Sequence, residues 1–188
     1  AHRYKVMERY KESRPEEKPE GFSEAWDLAL GQDSLCIDDE SEADDLLATI
    51  AFQCQVLAQP VTLVSKDSDM WQCLGRETSI YDFGKRPGKF IGAPWLKATH
   101  RISAKQVVDW MCLHGGKNDV PGCKGIGKKI ASDLLEAFGS VVGIWEARPT
   151  LASRLRESVE EFFSGDYWKA REIHSLKRNV EIPPNFLT

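Results

Sequence analysis

The spacing of apolar residues predicts a strand, a helix and a second strand in the first half of the chain. Between Ser41 and Ala58, apolar side chains recur at helical spacing, at Ala43, Leu46, Leu47, Ile50, Cys54 and Leu57. The run VTLVS at 61–65 is short, apolar and β-branched, as in strands buried on both faces of a parallel sheet, and SLCI at 34–37 also reads as a strand. This order is that of a βαβ unit, so we predict an α/β fold with a mostly parallel central sheet.

Helical periodicity dominates the remainder of the chain. Residues 2–14 predict a helix that the prolines of RPEEKPEG end, FSEAWDLAL at 22–30 predicts a short second helix, and TSIYDF at 78–83 predicts a further strand. From residue 102 onward every apolar pattern is helical, which predicts helices over 103–115, 128–139, 140–147, 150–163 and 166–179. We therefore predict an α/β domain over residues 1–101 and an all-helical region over residues 102–188.

Composition narrows the class of protein. The 188 residues are enough for one sizeable core, and no apolar run approaches the ~18 residues of a membrane-spanning helix. The charged N-terminal stretch AHRYKVMERYK is unlike a signal peptide, so we expect a cytoplasmic monomer with no membrane partner. The five cysteines occur singly, which predicts reduced core residues rather than a zinc site or disulfides.

Charge is segregated along the chain, although the net charge is only −4. Seven acids and no base lie between Asp33 and Asp45, whereas six bases and no acid lie between Gly84 and Lys105. Any one such run is ordinarily a solvated face. Because the runs recur, we favour an acidic site that holds cations beside a bound polyanion. His100 and His114 flank basic segments, and we expect them near phosphate or exposed.

Acidic side chains follow both strands of the predicted βαβ unit. Glu42, Asp44 and Asp45 stand at the start of the helix, and Asp67 and Asp69 directly follow VTLVS. Helix capping is the simple explanation for the first group, because Ser41 and Asp44 fit a capping box and acids favour a helix N-terminus. It does not explain the second group.

Ligands of parallel sheets bind outside the carboxyl ends of the strands, so we expect all five carboxylates to converge on one crevice. Close carboxylates repel one another, so such a cluster requires either protonation or a divalent cation. Hard oxygen ligands with no histidine nearby favour Mg²⁺ or Mn²⁺ over zinc. We therefore predict a magnesium or manganese site.

A second motif lies in the helical half, in PGCKGIGKKIASDLLEAFGS at 121–140. A glycine-containing turn opens a helix with lysines in its first turn, and its N–H groups suit a phosphate to which the lysines add charge. The whole pattern is that of a helix-hairpin-helix, which binds the DNA backbone without reading sequence. The alternative is that the glycines only permit a tight turn between two helices.

Together these motifs resemble the 5′ nucleases, the family of flap endonucleases, phage 5′–3′ exonucleases and the 5′-nuclease domain of bacterial DNA polymerase I. EADDLLATIA, VTLVSKDSDMWQCL and VPGCKGIGKKIASDLLEAFGS are similar, in order and spacing, to the family's E-A-D-D, S-x-D-x-D-x-x-Q-L and helix-three-turn-helix motifs. HRYKVMERYKESRPEEKPEGF resembles the segment that leads into the family's helical arch. The resemblance covers essentially the whole chain, and it implies a PIN-like α/β domain followed by a helix-three-turn-helix DNA-binding region.

The resemblance also implies metal-dependent hydrolysis of phosphodiester bonds in DNA that carries 5′ ends, flaps or branches. Mg²⁺ or Mn²⁺ would be held by Glu42, Asp44, Asp45, Asp67 and Asp69. Lys11 and Arg14 would face the scissile phosphate. DNA would be bound, with a monovalent cation such as K⁺ at the hairpin, by Arg3, Tyr10, Lys124, Gly125, Ile126, Gly127, Lys128 and Lys129. Tyr10 fits either stacking on a base or packing.

Two departures from the family pattern bear on activity. The family's first two metal aspartates lie on strands that would precede Ala1, so the first metal site is expected to be incomplete. Before the hairpin the family has G-D-x-S-D-N-x-P-G, whereas this chain reads HGGKNDVPG, with Gly115 and Asn118 in place of aspartates. The second site is then expected to keep only Asp67 and Asp69.

Three functions fit these observations. The first is a metal-dependent, structure-selective 5′ nuclease, which the five retained carboxylates favour. The second is a DNA-binding protein of the same fold that recognises branched or nicked DNA with little or no cleavage, which the missing aspartates favour. The third is an RNA-cleaving nuclease of similar architecture, which suits the acids but not a hairpin that binds duplex.

Overall fold

The computed structural model describes residues 6–7, 12, 17–31, 41–84, 86–116 and 119–182. Within them the elements follow in the order α1 (Phe22–Leu30), α2 (Ala43–Val56), β1 (Val61–Val64), β2 (Thr78–Asp82), β3 (Lys89–Ile91), α3 (Ala93–His100), α4 (Val107–His114), α5 (Lys128–Phe138), α6 (Val141–Glu146), α7 (Ser153–Ser164) and α8 (Tyr167–His174). Short 3-10 helices span Ser68–Cys73, Ala104–Gln106 and Arg148–Thr150. The predicted strand at 34–37, and most of the predicted helix at 2–14, lie outside the described residues.

The three strands form one sheet in the order β1, β2, β3. β1 pairs with β2 in parallel, which sets Leu63 opposite Ile80, and β2 pairs with β3 in antiparallel orientation, which sets Ile80 opposite Ile91. These three side chains are buried, and they belong to the same hydrophobic cluster as Ala48 and Ala51 of α2. The predicted α/β fold with a parallel pairing is confirmed. β3 escaped prediction because a three-residue strand inside a basic loop is too short to show a period.

The regular elements of the second half are all helices in the described residues, as predicted, and α4 lies at their centre against α5 and α8. The helix predicted over 166–179 is wrong beyond His174, where α8 ends. One hydrophobic cluster runs from Leu63 of the sheet through Leu96 and Leu113 to Leu135 and Ile173. The predicted boundary between residues 101 and 102 falls in a turn whose Ile102 is fully buried in this cluster. The α/β part and the helical part therefore share their core, which fixes the acids of one against the hairpin of the other.

The described cysteines are buried and unpaired, at Cys54, Cys73, Cys112 and Cys123. Burial raises the pKa of the Cys73 thiol to about 11, and that of Cys112 and of Cys123 to about 12, so all three are protonated thiols at neutral pH. The prediction of reduced core cysteines is confirmed for these residues, while Cys36 lies outside the described part. Among the described helices none combines the length and apolar character needed to cross a membrane.

Candidate metal site and nucleic-acid interface

The first acid group lies at the N-terminus of α2. Glu42 precedes the helix in an extended conformation, and Asp44 and Asp45 occupy its first turn. The N-cap residue is Glu42 rather than Ser41 and its side chain makes no capping hydrogen bond, so the capping box predicted for Ser41 and Asp44 is wrong. Both aspartates still interact favourably with the helix dipole, but capping does not account for the group.

The second acid group lies just beyond the carboxyl end of β1. Asp67 caps the 3-10 helix Ser68–Cys73, because its Oδ1 accepts a hydrogen bond from the backbone N–H of Asp69 at 3.0 Å. The N–H of Asp67 in turn donates to Ser65 Oγ at 3.0 Å. This turn places Asp67 and Asp69 at the strand end where the sequence predicts ligands.

The two acid groups belong to neighbouring elements, since α2 packs against both the sheet and the 3-10 helix Ser68–Cys73. In the part of the chain that the structure describes, however, no three His, Cys, Asp or Glu side chains are placed to hold one metal ion. The donor chemistry fits Mg²⁺ or Mn²⁺, whereas the number of donors gathered is too small for a complete site. One reason is that Asp45 Oδ1 accepts the backbone N–H of Lys177 at 2.9 Å. The convergence of all five carboxylates stays a prediction.

The hairpin before α5 presents its backbone to solvent. Gly125 has φ +79°, a conformation that favours glycine, and a Cβ there would meet no atom within 4 Å. Gly127 is equally open and precedes α5, whose first residues Lys128 and Lys129 are exposed, as is Lys124. These positions suit a phosphate. The Ile126 side chain is buried in the core instead, and its backbone N–H already donates to the backbone O of Cys123 at 3.0 Å.

The residue at position 115 is dictated by packing. Gly115 ends α4 with φ +64°, and a Cβ there would lie 2.6 Å from Gly122 N. A Cβ on Gly122 would overlap Gly115 N in the same way. An aspartate, which the family pattern has at position 115, therefore does not fit this backbone.

Two neighbouring cavities are lined by hairpin lysines, and one of them is also lined by an acid. The first, of about 270 Å³, is lined by Asp69, Trp71, Trp110, His114 and Lys128 among others. The second, of about 280 Å³, is lined by Trp110, His100, Arg101, Lys128 and Lys129 among others. Trp110 and Lys128 line both cavities, so the two cavities are neighbours, and the first of them brings Asp69 and Lys128 to the same space.

An aromatic cluster lines these two cavities. Trp110 packs against His114 with ring centroids 4.2 Å apart and against His100 at 5.2 Å, while Trp71 contacts His100 at 4.8 Å. Burial, with a smaller contribution from Lys128, lowers the pKa of His114 to about 4 and also lowers that of His100. Both histidines are therefore neutral at pH 7, and they are half-buried rather than exposed, whereas a place near phosphate stays a prediction.

Four of the predicted site residues lie outside the described part of the chain, at Arg3, Tyr10, Lys11 and Arg14. Their roles stay predictions from the family resemblance. The sequence analysis also missed residues that the structure brings to the acids, namely the segment 174–180, which Gln72 and Thr49 bind through their side chains. No motif marks this segment, and only a fold can show that it returns to the acid helix.

Comparison with known proteins adds curated relatives and solved structures of similar fold. The chain is 31% identical over 189 residues to the flap endonuclease Xni of Colwellia psychrerythraea, an alignment that covers 96% of this chain and 62% of that protein. It is 32% identical over 192 residues to the flap endonuclease Xni of Photobacterium profundum, covering 96% of this chain and 70% of that protein. The chain thus spans less than two thirds of the length of the Colwellia relative. No family model matches it.

Among solved structures, the 5′-exonuclease of bacteriophage T5 with bound divalent metal ions (zinc) is similar at a TM-score of 0.76 and 20% identity, over 92% of this chain and 69% of that chain. The catalytic core of Rad2 in complex with DNA substrate is similar at a TM-score of 0.51 and 16% identity, over 86% of this chain and 54% of that chain. These likenesses show that the fold is shared.

Proposed function

This chain belongs to the flap endonuclease family, and we propose that it is a divalent-metal-dependent, structure-selective 5′ nuclease that hydrolyses phosphodiester bonds in DNA. The observation that carries the proposal is the cavity of about 270 Å³ lined by both Asp69 and Lys128. It sets a carboxylate and a cation suited to phosphate against the same space. To cleave a DNA backbone that it binds, a nuclease needs its metal-binding carboxylates and its phosphate-binding cations near the same position.

One set of residues would bind the metal ion and another set would bind the DNA. Of the five predicted carboxylates, Glu42, Asp44, Asp67 and Asp69 would hold Mg²⁺ or Mn²⁺, whereas Asp45 is left out of this proposal because its Oδ1 accepts the N–H of Lys177. When bound, such an ion activates a water and stabilises the charge that develops on the phosphate and the leaving oxygen. Backbone phosphates would contact the hairpin through the N–H groups of its exposed backbone and through Lys124, Lys128 and Lys129.

The finer parts of the proposal come from the family resemblance. Lys11 and Arg14 would stabilise charge on the scissile phosphate, and Arg3 and Tyr10 would contact the strand that carries the 5′ end. A monovalent cation such as K⁺ would join the hairpin to the duplex backbone. We further propose a cytoplasmic monomer that acts on 5′ ends, flaps or branches, with residues 1–101 as its nuclease part and residues 102–188 as its DNA-binding part.

A second function, structure-selective DNA binding with little or no cleavage, is supported by one observation. Among the described residues, no three potential ligands are placed to hold a metal ion, and Gly115 leaves no room for a further aspartate. A chain in this condition would keep the exposed hairpin and its lysines, and with them its grip on DNA. A cleavage assay distinguishes the nuclease from the DNA-binding protein.

The experiment that tests the proposal is cleavage of a 5′-labelled flap duplex with Mg²⁺ or Mn²⁺, beside a binding titration of the same duplex in Ca²⁺. The nuclease proposal expects metal-dependent cleavage that Asp69→Asn reduces by about 100-fold or more while Ca²⁺-supported binding is retained. Binding without cleavage in either metal would overturn it in favour of the second function.

A matched control is available at Asp166. This exposed aspartate precedes α8 and makes no capping hydrogen bond, so Asp166→Asn removes the same charge at a residue that is not among the predicted metal ligands. It should cleave like the parent protein. Equal losses in the two variants would point to a general charge effect and would remove Asp69 from the metal site.

A further inference from the structure

The segment 174–180, here called the C-terminal strap, is bound first to the 3-10 helix that carries Asp69. Gln72 is its anchor there: Nε2 donates to the backbone O of His174 at 2.9 Å, and Oε1 accepts the N–H of Leu176 at 3.1 Å. The guanidinium of Arg178 donates back to the backbone O of Gln72 at 3.1 Å. The Gln72 side chain is buried, so it fixes the strap in a single position.

The strap is bound second to the helix that carries Asp44. The N–H of Lys177 donates to Asp45 Oδ1 at 2.9 Å, and the N–H of Val180 donates to Thr49 Oγ1 at 3.2 Å. Thr49 Oγ1 donates in turn to the backbone O of Asp45 at 2.8 Å, one turn earlier in α2. Asp45 is 3% exposed and Thr49 is 0% exposed. The strap therefore joins α2 to the 3-10 helix Ser68–Cys73.

We propose that Asp45 is a positioning residue that holds the C-terminal strap, and that it thereby fixes Asp44 relative to Asp69, rather than serving as a metal ligand itself. The sequence assigns the same role to Asp44 and Asp45, whereas the structure separates them. Successive residues of a helix point about 100° apart, and Asp44 is only half-buried while Asp45 is buried against the strap.

The hydrogen bond from the Lys177 N–H determines which side chains can take the place of Asp45. A backbone N–H needs an acceptor oxygen, and the side-chain carbonyl of asparagine supplies one as a carboxylate does. A metal ligand needs the negative charge, which asparagine lacks. Asparagine at position 45 therefore distinguishes a positioning residue from a ligand.

The test compares Asp45→Asn, Asp45→Ala and Asp44→Asn in three measurements. These are hydrogen exchange of the Lys177 amide, the Mn²⁺ concentration that gives half-maximal flap cleavage, and the cleavage rate at saturating Mn²⁺. We expect Asp45→Ala to lower protection of the Lys177 amide by about tenfold or more, and Asp45→Asn to restore most of it. Cleavage should follow the same order, with a loss of roughly 10- to 100-fold in the alanine variant and of less than about tenfold in the asparagine variant.

Asp44→Asn provides the contrast. It should raise the half-saturating Mn²⁺ concentration while leaving protection of the Lys177 amide as it is in the parent protein. The proposal is overturned if Asp45→Asn raises the half-saturating Mn²⁺ concentration as much as Asp44→Asn does, with Lys177 still protected. It is also overturned if Asp45→Ala leaves Lys177 protected.

The cleavage measurements rest on the proposed function, whereas hydrogen exchange does not. If the parent protein fails to cleave in any metal, the proposed function fails. The order of Lys177 protection in the parent, asparagine and alanine proteins then still decides whether Asp45 holds the strap.

Discussion

Gly115 and Gly122 pack backbone against backbone, so closely that neither position has room for a side chain. The Cβ of any other residue at position 115 would lie 2.6 Å from Gly122 N. The hairpin region is thus closed at the point where the family pattern has an acid. The absence of an aspartate at position 115 therefore follows from the tight packing of the two glycines.

We therefore expect Gly115→Asp to destabilise the protein and not to strengthen metal binding. The left-handed φ costs about 1–2 kcal/mol for a residue with a side chain, and the overlap adds about 1–3 kcal/mol. Gly139→Asp is the matched control, because Gly139 also ends a helix with positive φ, at +78°, but has open space around it. Urea denaturation should show a larger loss of unfolding free energy at position 115. Equal losses would contradict the close packing.

Replacing Lys128 and Lys129 together with alanine should weaken duplex binding and its dependence on salt. If both lysines contact phosphate, the slope of log affinity against log salt should fall in magnitude by about 1.8, since each phosphate contact contributes about 0.9. Fluorescence anisotropy at several salt concentrations measures this slope. Lys169→Ala, on the exposed side of α8, is the control and should leave the slope near that of the parent protein. An unchanged slope in the double variant would remove the hairpin lysines from the interface.

The buried carboxylate of Asp109 should contribute more to stability than an exposed ion pair does. Asp109 Oδ1 accepts from the Arg171 guanidinium at 2.6 Å, and Oδ2 accepts the N–H of Val141 at 3.1 Å, which joins α4 to α6 and α8. Asp109→Ala leaves both donors without this acceptor and should lower the unfolding free energy by about 2–3 kcal/mol. Arg101, which pairs with Asp133 on the surface, is the comparison, and Arg101→Ala should change stability little. Similar losses of unfolding free energy in the two variants would contradict a larger contribution from the buried carboxylate.

The pKa of His114, lowered to about 4 by burial, predicts a pH dependence of stability. The ordinary pKa of histidine is about 6.5. Between pH 6.5 and pH 4, His114 therefore binds a proton in the unfolded chain but not in the folded protein. The stability from neutral His114 is complete above pH 6.5 and is lost as the pH falls toward 4. NMR titration of the His114 imidazole, with a chelator in the buffer, should give a midpoint well below pH 6.5. The His114→Gln variant should lose less unfolding free energy than the parent protein between pH 7 and pH 5. A midpoint near 6.5 would contradict this.

The sequence predicted those elements whose pattern is long enough to repeat. The helix over 41–58 appears as α2 and the run at 61–65 as β1, because each must bury a face whose spacing is visible in the residues. β3 and α3 were missed, since both lie in the basic run between Gly84 and Lys105, where the sequence analysis predicted no element before residue 102. Charge marks a ligand surface but does not exclude secondary structure.

The candidate site was predicted only in part, for a physical reason. Asp67, Asp69 and the hairpin glycines stand at strand and helix ends, positions that local pattern locates well. The different surroundings of Asp44 and Asp45 depend on a hydrogen bond to Lys177, 132 residues beyond Asp45. Contacts at such separation leave no trace in the spacing of neighbouring residues.

The C-terminal strap also bears on the order in which the protein is made. A ribosome delivers α2, the sheet and the hairpin before residues 174–180, and loop closure over 132 residues is slow compared with local folding. The contacts of the strap with α2 and with the 3-10 helix Ser68–Cys73 therefore form last, although these two elements also pack against each other directly. On the proposed function, a nascent chain would carry the hairpin before the strap could hold Asp44 relative to Asp69, so cleavage would begin only after residues 174–180 have been synthesised.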